Sequence, residues 1–135
     1  MKKLLVFIIL LSSIKILSQE TVVAKTKTIL SNDTIYEEVD KIPEYPGGIE
    51  AFRTNFMQTS DVAKINATGI IKSEVQFVIS PEGIITDIKI DGDNKSMNKE
   101  MERSLKAMSK TKWKPGEING QPVRYKFRFP IAMNL

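Results

Sequence analysis

The side chains that most often perform catalysis are missing from this sequence. Its 135 residues include no histidine and no cysteine, which removes the commonest general base, the commonest metal ligand and the usual nucleophilic dyads. An enzyme built on this chain would depend on carboxylates alone. The acidic residues between Glu37 and Glu44 show no spacing that would pair two carboxylates on rigid elements. We therefore expect a protein that is not an enzyme and that carries no cofactor.

A second acidic segment has the beginning of a calcium-binding loop. Asp91 and Asp93 are spaced like the first two ligands of such a loop. Lys95 stands where the third oxygen ligand is needed, and Ser96 stands where the loop needs a glycine. The segment therefore predicts a turn, and we expect no metal site.

The remaining candidate for a functional group is the main chain of the last residues, through its N–H and C=O hydrogen bonds. Residues 123–133 alternate with a period of two, which predicts a β-strand with one buried face and one wet face. A terminal strand that contains a proline is a candidate sheet edge, and the unpaired N–H and C=O groups of an edge can accept an extended peptide. The pattern therefore predicts a binding module. The buried face would carry Val123, Tyr125, Phe127, Phe129, Ile131 and Met133, and the wet face Arg124, Lys126 and Arg128.

The preceding residues predict the elements that would hold this strand. Apolar residues recur at helical spacing in two segments and at strand spacing in two others, and the two strand segments are joined by turn residues. We expect an α+β domain in which two helices pack on one face of a three-stranded antiparallel sheet. The predicted elements are an extended segment over 34–39, helices over 49–58 and 96–109, a hairpin over 70–80 and 84–90, and the last strand.

The first residues read as a secretory signal peptide. Two lysines precede an apolar stretch over residues 4–17, and Ser18 is a small residue suited to cleavage. The apolar stretch is shorter than the roughly 20 residues of a membrane-spanning helix, although an uncleaved inner-membrane anchor is the alternative. We therefore expect a signal peptide at 1–18, a flexible tether at 19–33 and a domain at 34–135 in the periplasm. Cleavage would leave 17 basic and 16 acidic residues, a net charge of +1, so we expect no nucleic-acid partner.

Five motifs, taken in their order along the chain, resemble those of the TonB C-terminal domain family, in the stand-alone version common in Bacteroidetes-type bacteria. The resemblance covers residues 39–135 and depends on the shared order and spacing of motifs that are individually weak. The motifs are PEYPGG at 43–48, VQFVI at 75–79, WKPG at 113–116, GQPV at 120–123 and FPI at 129–131.

The resemblance implies a partner and a place on the domain where the partner binds. Family members bind the TonB box, a short extended segment of TonB-dependent outer-membrane receptors, by strand addition along their last strand, and they transmit force from a proton-driven motor. Carried over to this sequence, the binding strand is Val123 to Phe129, and Tyr45 lies in the segment that approaches the receptor. The implied binding residues are Val123, Arg124, Tyr125, Lys126, Phe127, Arg128, Phe129 and Tyr45.

Several alternatives stay open at this point. Residues 19–42 contain no proline and would reach about 80 Å at full extension, so the chain departs from a transducer with a long proline-rich spacer. A periplasmic binding or scaffolding module without a role in energy transfer is therefore the second hypothesis, and a homodimer through the edge strand is a third use of the same surface. Tyr45 and Trp113 could each be core residues instead of contact residues. Pro130 could end the strand pairing or could direct its missing donor outward.

Overall fold

The computed structural model describes residues 33–135, which form two layers. The predicted signal peptide and all but the last residue of the predicted tether lie outside these residues. None of the helices within the described range is long and apolar enough to cross a membrane. The elements are β1 (Ile35–Tyr36), α1 (Ile49–Thr59), a 3₁₀ turn (Val62–Lys64), β2 (Ile70–Ile79), β3 (Ile85–Gly92), α2 (Lys95–Met108), β4 (Gly116–Ile118) and β5 (Gln121–Asn134).

The two helices form where the sequence predicts them, and each buries one stripe. The first begins after Gly48, whose φ of 87° suits a residue without a side chain, and it turns Phe52 and Phe56 inward with no exposed surface. The second is capped by Asn94, whose side chain accepts a hydrogen bond from the N–H of Met97 at 2.8 Å. The apolar residues of its buried face are Met97, Met101, Leu105 and Met108. The predicted α+β class with two helices is confirmed.

The centre of the sheet is antiparallel, as predicted. Strand β2 pairs with β3 on one side and with β5 on the other. The β2–β5 ladder runs without a shift from Ile70–Asn134 to Ile79–Tyr125. The β2–β3 ladder shifts register between Gln76 and Val78.

The complete sheet differs from the prediction because it has five strands and mixed directions. Strand β1 lies parallel to β5, and β4 forms a hairpin with the beginning of β5. That hairpin turns at Asn119 and Gly120, which have φ angles of 51° and 75°. The expectation of a three-stranded antiparallel sheet was therefore wrong as a description of the whole sheet. Strands of two and three residues are too short to show a period of two, so the alternation could not reveal them.

An aromatic cluster fills the space between the helices and the sheet. The ring of Phe52 lies 5.1 Å from Trp113, 5.5 Å from Phe129 and 5.8 Å from Phe77, measured between ring centroids. Trp113 is only 4% exposed, which confirms it as a core anchor. The main-chain N–H of Trp113 donates to the carbonyl of Gly83 at 2.9 Å, so the hairpin turn and the start of the last segment are held together by the main chain.

Candidate strand-binding edge

Strand β5 is covered along one side and only partly covered along the other. Residues 125–134 pair with β2. On the same side, beyond the end of β2, β4 pairs with residues 121–123. On the opposite side, β1 pairs with residues 124–125. Within residues 33–135, no strand pairs with this side of β5 beyond Tyr125. We call the stretch Lys126–Asn134 the open edge; at strand rise it is about 30 Å long.

The ladder with β2 decides which main-chain groups reach the open edge. Gly69 and Leu135 exchange both hydrogen bonds, at 2.7 and 3.0 Å, so they are a hydrogen-bonded pair at the end of the unshifted ladder. Such pairs alternate along an antiparallel ladder. The odd-numbered residues of β5 from 125 to 133 therefore direct their N–H and C=O groups toward β2, and the even-numbered residues direct theirs away from it. The outward groups belong to Lys126, Arg128, Pro130, Ala132 and Asn134.

Pro130 lies at an outward position, which distinguishes between the two interpretations of this residue. Its partner across the ladder is Glu74, and the pairing continues past it to Asn134. The proline therefore does not end the pairing, and its missing N–H falls on the open edge. This is a usual place for proline in a sheet, because no ladder bond is lost there. The open edge consequently has one position that accepts a hydrogen bond but donates none.

Helix α1 stands beside the open edge on the buried face of the sheet. The guanidinium carbon of Arg53 lies 5.4 Å from the centroid of the Phe129 ring, and the side chain of Met57 is 41% exposed. Together with residues 129–132, these two side chains line a hollow of about 310 Å³. A strand added to the open edge would have alternate side chains on the helix side. Those side chains would enter this hollow.

The wet face of the open edge carries an ion-pair chain. Arg128 donates from one nitrogen to Glu37 at 2.9 Å and from the other to Glu74 at 3.1 Å. The hydrogen bond from Arg128 holds the pKa of the Glu37 carboxyl below its usual range. The same contacts, with Glu37 first, raise the pKa of the Arg128 guanidinium. The cationic wet face expected from the sequence is therefore largely neutralised by acidic neighbours at this position.

The residues predicted to bind a partner are divided between three places. Val123, Arg124 and Tyr125 lie beside β4 and β1, where other strands of the chain pair with them. Residues 126–129 lie on the open edge. Tyr45 lies in the core at 7% exposure, with its ring 5.2 Å from that of Trp113 and its hydroxyl accepting a hydrogen bond from Asn55.

Several residues of the open edge were not among those predicted. Residues 130–134 continue the alternation that the sequence already shows, so a longer reading of the same pattern would have included them. Arg53 and Met57 carried no such signal, because only packing places their face of α1 beside β5. Within residues 33–135, no three acidic, histidine or cysteine side chains are grouped in a way that could hold a metal ion.

These features define a class of protein. The chain forms a two-layer α+β domain whose edge strand presents outward main-chain groups beside a hollow lined by Arg53, Met57 and residues 129–132, an arrangement shared by domains that accept an added strand. Residues 64–135 match the family model described as the Gram-negative bacterial TonB protein C-terminal. Because this match covers more than half of the chain, the protein belongs to the TonB C-terminal domain family, as its motifs suggested. No curated protein and no solved structure matched the chain.

The family gives the biological setting in general terms. Its members are non-enzymatic protein-interaction domains. They act in the periplasm, in transport across the envelope, and they interact with TonB-dependent receptors in general.

Proposed function

We propose that this protein is an exported, periplasmic TonB-like domain that binds a TonB-dependent outer-membrane receptor by strand addition and takes part in energy-coupled transport. The receptor's TonB box would add to the open edge, Lys126–Asn134. The observation that carries this proposal is the outward direction of the even-numbered N–H and C=O groups of β5. The family match supports the choice of a receptor as the partner.

Main-chain pairing would fix the position of the peptide without supplying all of the affinity. Each hydrogen bond contributes about 0.5–1.5 kcal/mol net, whereas ordering an extended peptide costs about 1–2 kcal/mol per residue. The two contributions nearly cancel. Burial of alternate peptide side chains against Met57 and Phe129 would supply the remainder, so we expect a partner strand with apolar residues on its helix-facing side.

A scaffolding role on the same edge is the second candidate. It is favoured by the lack of proline in residues 19–42, since a stiff spacer would normally carry the domain across the periplasm. In that case the edge would bind another periplasmic protein, and no force would pass through it.

A proline substitution on the open edge tests the strand-addition mechanism. Ala132 is exposed, and its N–H points outward, so Ala132→Pro removes one donor from the open edge without removing a β2–β5 bond. We expect this variant to fold and to bind a synthetic TonB-box peptide about tenfold more weakly, because a peptide carbonyl loses its partner. Ala132→Ser keeps the N–H and is the matched control.

The readout is a titration of ¹⁵N-labelled protein with the peptide, followed by amide shifts. Shifts should concentrate at Lys126, Arg128, Ala132 and Asn134, and the spectrum of each free variant should show a folded protein. Equal affinities for Ala132→Pro and Ala132→Ser would refute pairing at this edge. No binding by any box peptide, with binding to another envelope protein retained, would favour the scaffolding role.

A further inference from the structure

Strand β1 occupies the main-chain groups that immediately precede the open edge. It pairs in parallel with β5 through Ile35–Arg124 and Tyr36–Tyr125, and the chain bends away at Glu37. Arg124 is an even-numbered residue of β5, so its N–H and C=O belong to the same outward row as those of Lys126. If β1 were absent, the open edge would therefore begin at Arg124 instead of Lys126.

The attachment of β1 to β5 is weak. It includes a ladder of only two residue pairs and the ion pair between Glu37 and Arg128 at 2.9 Å, and Arg124 makes a further contact. These two side chains are 60% and 47% exposed, and exposed ion pairs stabilise proteins little. The side chain of Ile35 is 42% exposed, so the half-buried Tyr36 supplies most of the apolar surface that β1 buries.

The residues that follow β1 are attached much more firmly. The N–H groups of Asp40 and Lys41 both donate to the carbonyl of Glu117, at 2.9 and 3.1 Å. The carboxylate of Asp40 accepts from the N–H of Asn119 at 2.7 Å. Glu44 exchanges two main-chain hydrogen bonds with Lys114, at 2.8 and 3.0 Å. β1 can therefore leave β5 while residues 40–44 keep the rest of the segment in place.

We propose that β1 is a displaceable strap that competes with the partner strand for the beginning of the β5 edge, and that the Glu37–Arg128 ion pair holds it closed. This inference rests on the proposed function and adds a form of regulation to the same site. Release of β1 extends the available edge from residues 126–134 to residues 124–134. It also frees Arg128 from one of its two carboxylate partners. The affinity for a partner strand then depends on how often the strap is open.

Hydrogen exchange measures the strap without any ligand. Glu37→Gln removes the charge that holds the strap, and Glu38→Gln changes an exposed neighbouring carboxylate as a matched control. We expect the amide of Arg124, which faces β1, to exchange about two- to fivefold faster in Glu37→Gln, the range that corresponds to an exposed ion pair. Glu38→Gln should leave this rate unchanged. Equal exchange rates in the two variants would overturn the role of Glu37.

Peptide binding then tests the competition. A synthetic TonB-box peptide should bind Glu37→Gln about two- to fivefold more tightly than it binds Glu38→Gln or the wild type. In the complex, the amide of Tyr36, which faces β5 in the parallel register, should lose its protection from exchange. Binding along Lys126–Asn134 with the Tyr36 amide still protected would overturn the strap and leave the proposed function standing. Failure of the peptide to bind any variant would overturn the proposed function and the competition together.

Discussion

The buried carboxylate of Glu100 connects the two helical segments, and its replacement should destabilise the domain in a pH-dependent way. Glu100 is 3% exposed. One of its carboxylate oxygens accepts the N–H of Asp61 at 2.8 Å, which fixes the start of the 3₁₀ turn. Arg103 donates to both carboxylate oxygens and also reaches the carbonyl of Thr59 at 2.9 Å. The pair therefore fastens the end of α1 to α2.

The lowered pKa of Glu100 gives the size of the stabilisation that its ionised carboxylate contributes. The hydrogen bond from Arg103, opposed by burial and assisted by the N–H of Asp61, lowers this pKa from 4.5 to about 2. At about 1.4 kcal/mol per pH unit, the depression corresponds to roughly 3–4 kcal/mol of stability, of which Glu100→Gln should lose the larger part. Because the folded pKa lies below the unfolded one, this stability is fully present above pH 4.5 and is lost as the pH falls toward 2.

Chemical denaturation at several pH values is the assay. Glu100→Gln keeps an acceptor for the N–H of Asp61 but loses the charge, so the free energy of unfolding at pH 7 should fall by about 2–3 kcal/mol. The difference from the wild type should shrink as the pH falls from 4.5 to 2. Glu102→Gln is the control on the same helix, because its ion pair with Lys106 is exposed and should cost less than about 0.5 kcal/mol. Equal losses in the two variants, or a difference that does not change with pH, would refute this reasoning.

Three further predictions concern the core, the hairpin turn and export. Leu105→Ala should lower the free energy of unfolding by about 2–5 kcal/mol because Leu105 has no exposed surface, whereas Lys106→Ala should change it by less than about 0.5 kcal/mol; equal values in a urea titration would contradict the assigned helix face. Gly83→Ala should cost about 2–4 kcal/mol in the same titration, because φ is 81° and an added Cβ would lie 2.0 Å from the carbonyl oxygen of Trp113; a neutral result would mean that this close approach is absent in solution. Sequencing of the exported protein should place its N-terminus near Gln19, and recovery of chains that retain Met1 in the inner membrane would instead favour an uncleaved anchor.

The elements that the sequence predicted correctly are those whose signals are local. The stripe of Met97, Met101 and Leu105 marks one face of a helix, and the alternation after Val123 marks a strand, because each pattern follows from the geometry of its own element. The hairpin turn at Gly83 could be predicted for the same reason. The last strand was therefore assigned from the sequence, together with its buried and wet faces.

The positions of several important groups have no local signal. In the sequence Glu100 looks like any charged residue of an amphipathic helix, yet the approach of Asp61 and Arg103 makes it a buried connector. The open edge begins at Lys126 and not at Val123 because β1 happens to meet the first part of β5. Neither β1 nor β4 carries enough residues to predict its own partner.

The sequence by itself determined the type and order of the main elements, the apolar faces that bury, and the lack of histidine and cysteine that argues against catalysis. It also carried the motifs by which the family could be named. Only the tertiary structure decided which side of β5 is open and which main-chain groups point there. Pro130 shows the reason: the period of two assigns a side chain to a face of the sheet, but the direction of its N–H depends on which neighbouring strand pairs with it, and that pairing is made by residues far away in the chain.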